Sequence, residues 1–590
     1  MTCSSNTRST PERRSRTLLA AACLLLAGIV PAQADSGVVD RAMAGARTAL
    51  AAGDGIAAQT RLREAQVAGA NDDDVRAQMG EALLAQDDLA KAREWLAPKR
   101  FSPSTRALGF RMLGRLELRE RHLPEAGAAF DRALAAAPDD AHLWTDIARL
   151  RYTGGEQALA IQAADRALSF APGDPAALAF RALLIRDQNG LAAALPWFDA
   201  ALQRAPGDTA IRADYATTLA DMGHYGAALK EIRAVQKASP GDPRILYFQA
   251  AIAARGGRQA LARRLLQRTK GKLRDVPGVM LLTAALELEA GNFNLAVEQS
   301  DRLLRYQPDN QLAQHILARA MALSGASVAL VERFAPLAER AEASAYMLTL
   351  VARSYEELGR RREAIALLKR ASEPSPPSLQ PLPAGADLPV LAQRYPDAPR
   401  QAAEAVPYIR ALLGLGDTAT AAAAAQKLLA GNPGAPDAYL IAGDIELARH
   451  NSARALPLYQ TAAAIRFGES ELLRLEHSLR ANGRDRDADL LCFAFAVQNP
   501  QALSAARLLA NVRARGGQWE QSTVLLEWIG ARSGWRDASL LADLAFARLR
   551  EGRTDEARRL ARRAAALQPA SPSVRQIERL DAKADSPNTM

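Results

Sequence analysis

The stretch PGDPAALAFRALLIRDQNGLAAALPWFDAALQRAPGD, residues 172–208, contains one complete structural unit and the opening of the next. Pro172-Gly173-Asp174 returns as Pro206-Gly207-Asp208 and again as Pro240-Gly241-Asp242, each 34 residues on. Proline cannot donate its amide to a continuing helix, so it closes one helix. The glycine turns the chain, and the aspartate stands where it caps the helix that follows. Between the turns, Ala182 and Ala194 are small and Phe198 is bulky. That pattern predicts two antiparallel helices packed closely on each other.

Outward from this unit the same register continues in both directions. Small residues recur at Ala46, Gly80, Gly114, Ala148, Ala182, Ala216, Ala250, Ala284, Ala318 and Ala352. Twelve residues after each stand Ala58, Ala92, Ala126, Ala160, Ala194, Ala228, Ala262, Ala296, Leu330 and Ala364, with only the leucine departing from the series. Prolines close the units at 138, 172, 206, 240, 308 and 376, while Arg274 and Glu342 keep the register where proline is missing. A second series with looser spacing follows at Ala421, Ala455, Ala488, Ser522 and Ala557. Eight prolines between Pro374 and Pro399 separate the two, in a stretch no helix could traverse.

The unit resembles the tetratricopeptide repeat. That family has small residues at positions 8, 20 and 27 of 34, a bulky residue at 24 and proline at 32. Residues 107–140 carry Gly114, Ala126, Phe130, Ala133 and Pro138 in those places, with Phe110 and Leu113 beside them. The resemblance implies an all-α superhelical solenoid of antiparallel helix pairs, about 15 repeats in two arrays. The expected organisation is a signal peptide over 1–34, ten 34-residue repeats over 35–378, a proline-rich linker over 379–402, about five repeats over 403–570, and a capping helix and tail over 571–590.

The leader reading rests on Arg13, Arg14 and Arg16, the apolar stretch Thr17 to Val30, and Ala32-Gln33-Ala34 before Asp35. The apolar stretch is short for a membrane span, so a cleaved signal peptide and a periplasmic location are expected. Its removal takes Cys3 and Cys23 with it, leaving Cys492 alone in the apolar run 490–497, where it is expected to be buried and inert. The repeat helices are broken by charges every few residues and are not read as membrane spans.

Motifs for catalysis and for cofactors are not found. The six histidines are scattered, none in H-E-x-x-H, and no C-x-x-C occurs. Gly256-Gly257 and Gly516-Gly517 fall at inter-helix turns in repeat register, with no G-K-[ST] beside them. The reading is of a protein without enzyme activity, cofactor or metal.

The resemblance further implies an inner surface lined by the first helix of each repeat. Carried over residue by residue, the candidate binding groove comprises Arg111 and Arg115 in repeat 3, Arg149 and Tyr152 in repeat 4, and Arg186 in repeat 5. Arg244, Tyr247 and Arg255 follow from repeat 7, Arg319 from repeat 9, and Tyr346 and Arg353 from repeat 10. This groove is basic with a few aromatics, which suits an acidic protein surface or peptide. A separate segment, Pro243 to Arg274, has nine basic residues and no acidic one. Nucleic acid is the usual partner of such a patch, but export argues against it; acidic protein, acidic polysaccharide or anionic lipid head groups are expected instead. The function implied is a periplasmic protein–protein interaction scaffold for cell-envelope assembly or polysaccharide export. The alternative is a periplasmic chaperone or carrier holding exported polypeptide in its groove.

Overall fold

The structure, a computed structural model, describes residues 36–238, 240–340, 343–373, 388–572 and 574–576. The expected signal peptide, residues 379–387 of the linker and the tail from 577 lie outside the described residues. Among the described residues every regular element is a helix, and the helices alternate as pairs joined by short turns. The described residues form the expected all-α repeat of antiparallel helix pairs. No described helix is long and apolar enough to cross a membrane.

The turn chemistry operates as the sequence predicts. The carboxylates of Asp140, Asp174, Asp208 and Asp242 each accept from backbone amides one or more residues into the following helix, Asp174 from Ala177 at 2.7 Å and Asp242 from Arg244 at 2.8 Å. Helix N-termini have orphan amides, and each cap satisfies one or two. Ala171 and Ala205, which precede the closing prolines, leave the helical region, as a residue before proline is forced to do. The two small-residue series form the contact between paired helices: Ala182, Ala194, Ala250, Ala262, Ala318 and Leu330 are wholly buried. At Gly80 a Cβ would stand 2.4 Å from Leu96 Cδ2, so glycine is the residue that admits the partner helix there.

The chain divides into two compact units, residues 1–121 and 122–590, so the division falls inside repeat 3 and not at the proline-rich stretch. The first unit, as described, has the pairs Ser36–Ala51 with Gly55–Val67 and Asp72–Ala85 with Leu89–Leu96, followed by Arg106–Arg119.

Within the second unit the two arrays, which the proline-rich stretch separates in sequence, lie against each other. The amide of Ala158 donates to the carbonyl of Gly434 at 3.1 Å, and that of Phe467 to Asp187 at 2.8 Å. Further along, Arg536 meets Glu289 at 3.4 Å and Gln568 Nε2 donates to the carbonyl of Leu368. The order of contacts is the same on both sides, so the arrays run in parallel. Unfilled helix caps explain the attachment. Helix Leu191–Arg204 starts after Gly190, which has no side chain to cap it. Gln498 and Asn499 of the second array supply the acceptors, taking the amides of Ala193 at 2.9 Å and Leu191 at 3.4 Å. Gly190 has φ +100°, and a Cβ on it would lie 2.6 Å from Gln498 Cβ, so both the backbone and the docking call for glycine.

Candidate functional site

The structure gathers five of the expected groove residues in one place and disperses the rest. Arg111 and Arg115 sit on helix Arg106–Arg119 of the first unit, half-buried and engaged with neighbours. Arg149 pairs with the buried Asp146 at 3.0 Å and lies over the Phe180 ring. The Tyr152 hydroxyl donates to Asp187 at 2.6 Å, and Arg186 stands 3.6 Å from the same carboxylate. Burial, and then the Asp187 bond, pushes the Tyr152 hydroxyl up to about 12. Arg244 is exposed and clasps its own helix cap, Asp242, at 2.9 Å. These side chains hold the array together and do not present an open basic channel.

The five that converge are Tyr247, Arg255, Arg319, Tyr346 and Arg353. They line a cavity of about 1480 Å³ between the first helices of repeats 7 to 10 and two turns of the second array, 533–539 and 566–572. Those first helices are Pro243–Arg255, Pro277–Glu289, Gln311–Leu323 and Ala345–Glu357. The cavity floor is apolar, with Leu281, Leu282, Ala285, Leu312, Ile316 and Leu350 facing in. The wall from the second array had no signal in the sequence, because nothing periodic connects Arg536 or Gln568 to repeats 7 to 10.

The expected basic character of this groove is largely cancelled. Arg255 is paired with Asp221, and Arg536 with Glu289. Arg353 is paired with Glu356 at 2.6 Å and also donates to the carbonyls of Ala566 and Leu567, closing the end of helix Thr554–Leu567. Arg319 is the exception. Its Nη1 donates to the Tyr346 hydroxyl at 3.2 Å, it meets no carboxylate among the described residues, and its buried Nε has no acceptor. His315 stacks edge-on to Tyr346 and bonds Ser344 Oγ at 2.9 Å; burial holds its imidazole below the usual 6.5. The Tyr247 hydroxyl lies over Gly278, where a Cβ would be 2.4 Å away, and burial raises its pKa.

The basic flank of repeat 7 behaves in the opposite way. Arg258, Arg263, Arg264, Arg268, Lys270 and Lys272 form no ion pair with any described residue, and all but the half-buried Arg263 are exposed. They occupy helix Gln259–Gln267 and the turns on either side of it. The other three cations of the run meet acids: Arg244 and Arg255 as above, and Arg274, at its end, Asp275 at 3.3 Å. Elsewhere, Cys492 is fully buried, and burial pushes its thiol up to about 12, which leaves it protonated and unreactive.

Comparison with known proteins gives family matches and low-identity structural neighbours. Residues 186–252 match one family model for the tetratricopeptide repeat, and residues 111–175 and 409–469 match another. No curated protein matches the sequence. Among solved structures, PilW, described as a widely conserved type IV pilus biogenesis factor, is 20% identical over 36% of this chain and 98% of its own, with a TM-score of 0.32. A tetratricopeptide repeat protein from Parabacteroides merdae is 15% identical over 48% of this chain and 99% of its own, with a TM-score of 0.32. Pseudomonas aeruginosa pilF is 17% identical over 37% of this chain and 98% of its own, with a TM-score of 0.30.

Proposed function

We propose that this chain, a tetratricopeptide repeat protein, is an exported interaction scaffold whose acidic protein partner docks on the basic flank of repeat 7. Tetratricopeptide repeats mediate protein–protein binding and are typically non-catalytic; family models match residues 111–175, 186–252 and 409–469, and paired helices extend over nearly the whole described chain. The observation that carries the proposal is a contrast in pairing. Arginines on the inner helices are mostly neutralised by neighbouring acids, whereas six consecutive cations on one flank are not. Unpaired charges on a rigid helix cost no internal ion pair when a partner takes them up, and they steer an oppositely charged surface toward the site. The leader-like segment before Asp35 supports a periplasmic location, and with it a role as a soluble subunit in cell-envelope assembly or polysaccharide export.

The test is to reverse Arg263, Arg264 and Arg268 together to glutamate and compare partner recovery from envelope extracts with wild type and with Arg244→Glu. Loss confined to the triple variant, together with weakening as salt shortens the Debye length below about 8 Å, is the expected result. Equal recovery by the triple variant and wild type overturns the reading. Purified protein that retains residues 1–34 on a membrane overturns the exported soluble form.

A further inference from the structure

We propose that the cavity between repeats 7 to 10 and the end of the second array binds an anionic amphiphile, a single carboxylate or phosphate head on a hydrocarbon chain, with Arg319 and the Tyr346 hydroxyl receiving the head. This site is separate from the flank of repeat 7, and neither proposal depends on the other.

Three observations fit this chemistry together. The first is size: at about 1480 Å³ the cavity exceeds the roughly 300–1,000 Å³ typical of small-ligand pockets, which leaves room for a long chain. The second is its lining. Alkyl side chains from three helices, among them Leu281, Leu312 and Leu350, present no donors or acceptors. An extended peptide laid along that floor would bury amide N–H and carbonyl groups against side chains that cannot pair them, at a cost for each. A hydrocarbon chain has no such groups.

The third observation is the charge balance. Arg255, Arg353 and Arg536 each have a carboxylate of their own, and the other acids of the lining, Glu373 and Asp537, make no ion pair with Arg319, so Arg319 is the guanidinium of this lining without a carboxylate partner among the described residues. A guanidinium has five donors, and the contacts of Arg319 leave its Nε without an acceptor. Tyr346 accepts from Arg319 and keeps its own proton to donate, so an anionic oxygen placed beside both completes the pair. The nearby His315 is held neutral by burial and does not compete for the head. A cationic or zwitterionic head would bring a positive charge to Arg319 and is disfavoured.

The experiment titrates the full-length mature protein with palmitate and with hexadecanol, which share a chain length and differ in head-group charge, following heat release and melting temperature. The expected result is saturable palmitate binding with a raised melting temperature, and hexadecanol weaker by about tenfold or more. Arg319→Gln should weaken palmitate by roughly tenfold to a hundredfold, toward the hexadecanol level. Ala285→Trp should fill the cavity and abolish binding of both; if that variant does not fold, Arg319→Gln alone decides. Hexadecyl phosphate and phosphatidylglycerol vesicles then distinguish a free single-chain ligand from a lipid taken from a bilayer. Equal affinity for palmitate and hexadecanol, an unchanged Arg319→Gln titration, or non-saturable uptake overturns the proposal. So does saturable binding of a synthetic apolar helical peptide with no response to palmitate, which would make the cavity a peptide site.

Discussion

The carbonyl of Asp187 accepts the amide of Phe467 at 2.8 Å while its carboxylate accepts the Tyr152 hydroxyl at 2.6 Å, so one residue ties repeat 4 to repeat 5 and both to the second array. Next to it, Gln188 Nε2 donates to the carbonyl of Ala464 at 2.8 Å. These are turn-to-turn bonds made where helix ends leave backbone groups open. They make the second array a lateral brace for the first.

Cleavage at a protease site inserted within 379–387 should therefore leave the two pieces associated, co-eluting in gel filtration and parting only in denaturant. Gly190→Leu should loosen that association, since it combines a strained backbone costing about 1–3 kcal/mol with a collision at Gln498. Pieces that elute separately without denaturant would show that the turn contacts do not hold the arrays together.

Replacing Asp444 by alanine should cost about 3–5 kcal/mol in denaturant unfolding. Asp444 accepts from the buried Arg474 at 2.8 and 2.9 Å and from the buried Tyr459 hydroxyl at 2.7 Å, so its loss strands a charge. Asp444→Leu with Arg474→Met should recover much of the stability, because no unpaired charge remains. A double variant no better than the single would refute that account.

Ala182→Phe and Ala250→Phe should each lower stability by roughly 1–3 kcal/mol through overpacking, since both positions are fully buried between paired helices. The reading is a thermal melt by circular dichroism. Unchanged melting in both variants would mean the helices of a pair are not in contact there.

His315 has a pKa lowered by burial in the folded chain. The unfolded state then binds a proton near 6.5 that the folded state refuses, so this contribution is complete above 6.5 and is lost as pH falls toward the folded value. His315→Asn should melt with a shallower loss between neutral pH and pH 5 than wild type. Parallel curves would assign the acid sensitivity elsewhere.

Periodicity alone determined the helix pairs, the caps at Asp174, Asp208 and Asp242, and the buried alanine series. Each of these is a local or nearest-neighbour property repeated every 34 residues, and repetition is visible in a string of letters. The same string contained the acids at 146 and 356, three residues from Arg149 and Arg353, and Asp221, one repeat before Arg255, so the neutralised inner arginines could have been read from helical and repeat spacing. The docking of the arrays could not. Gly434, Phe467 and Gln498 meet the turns of repeats 4 and 5 through space, by filling caps that their partners lack, and no spacing rule connects residues so distant along the chain. Only the tertiary structure decided that a cavity with an apolar floor forms beside Arg319, because its second wall comes from helix ends whose position is set by those contacts and not by the repeat.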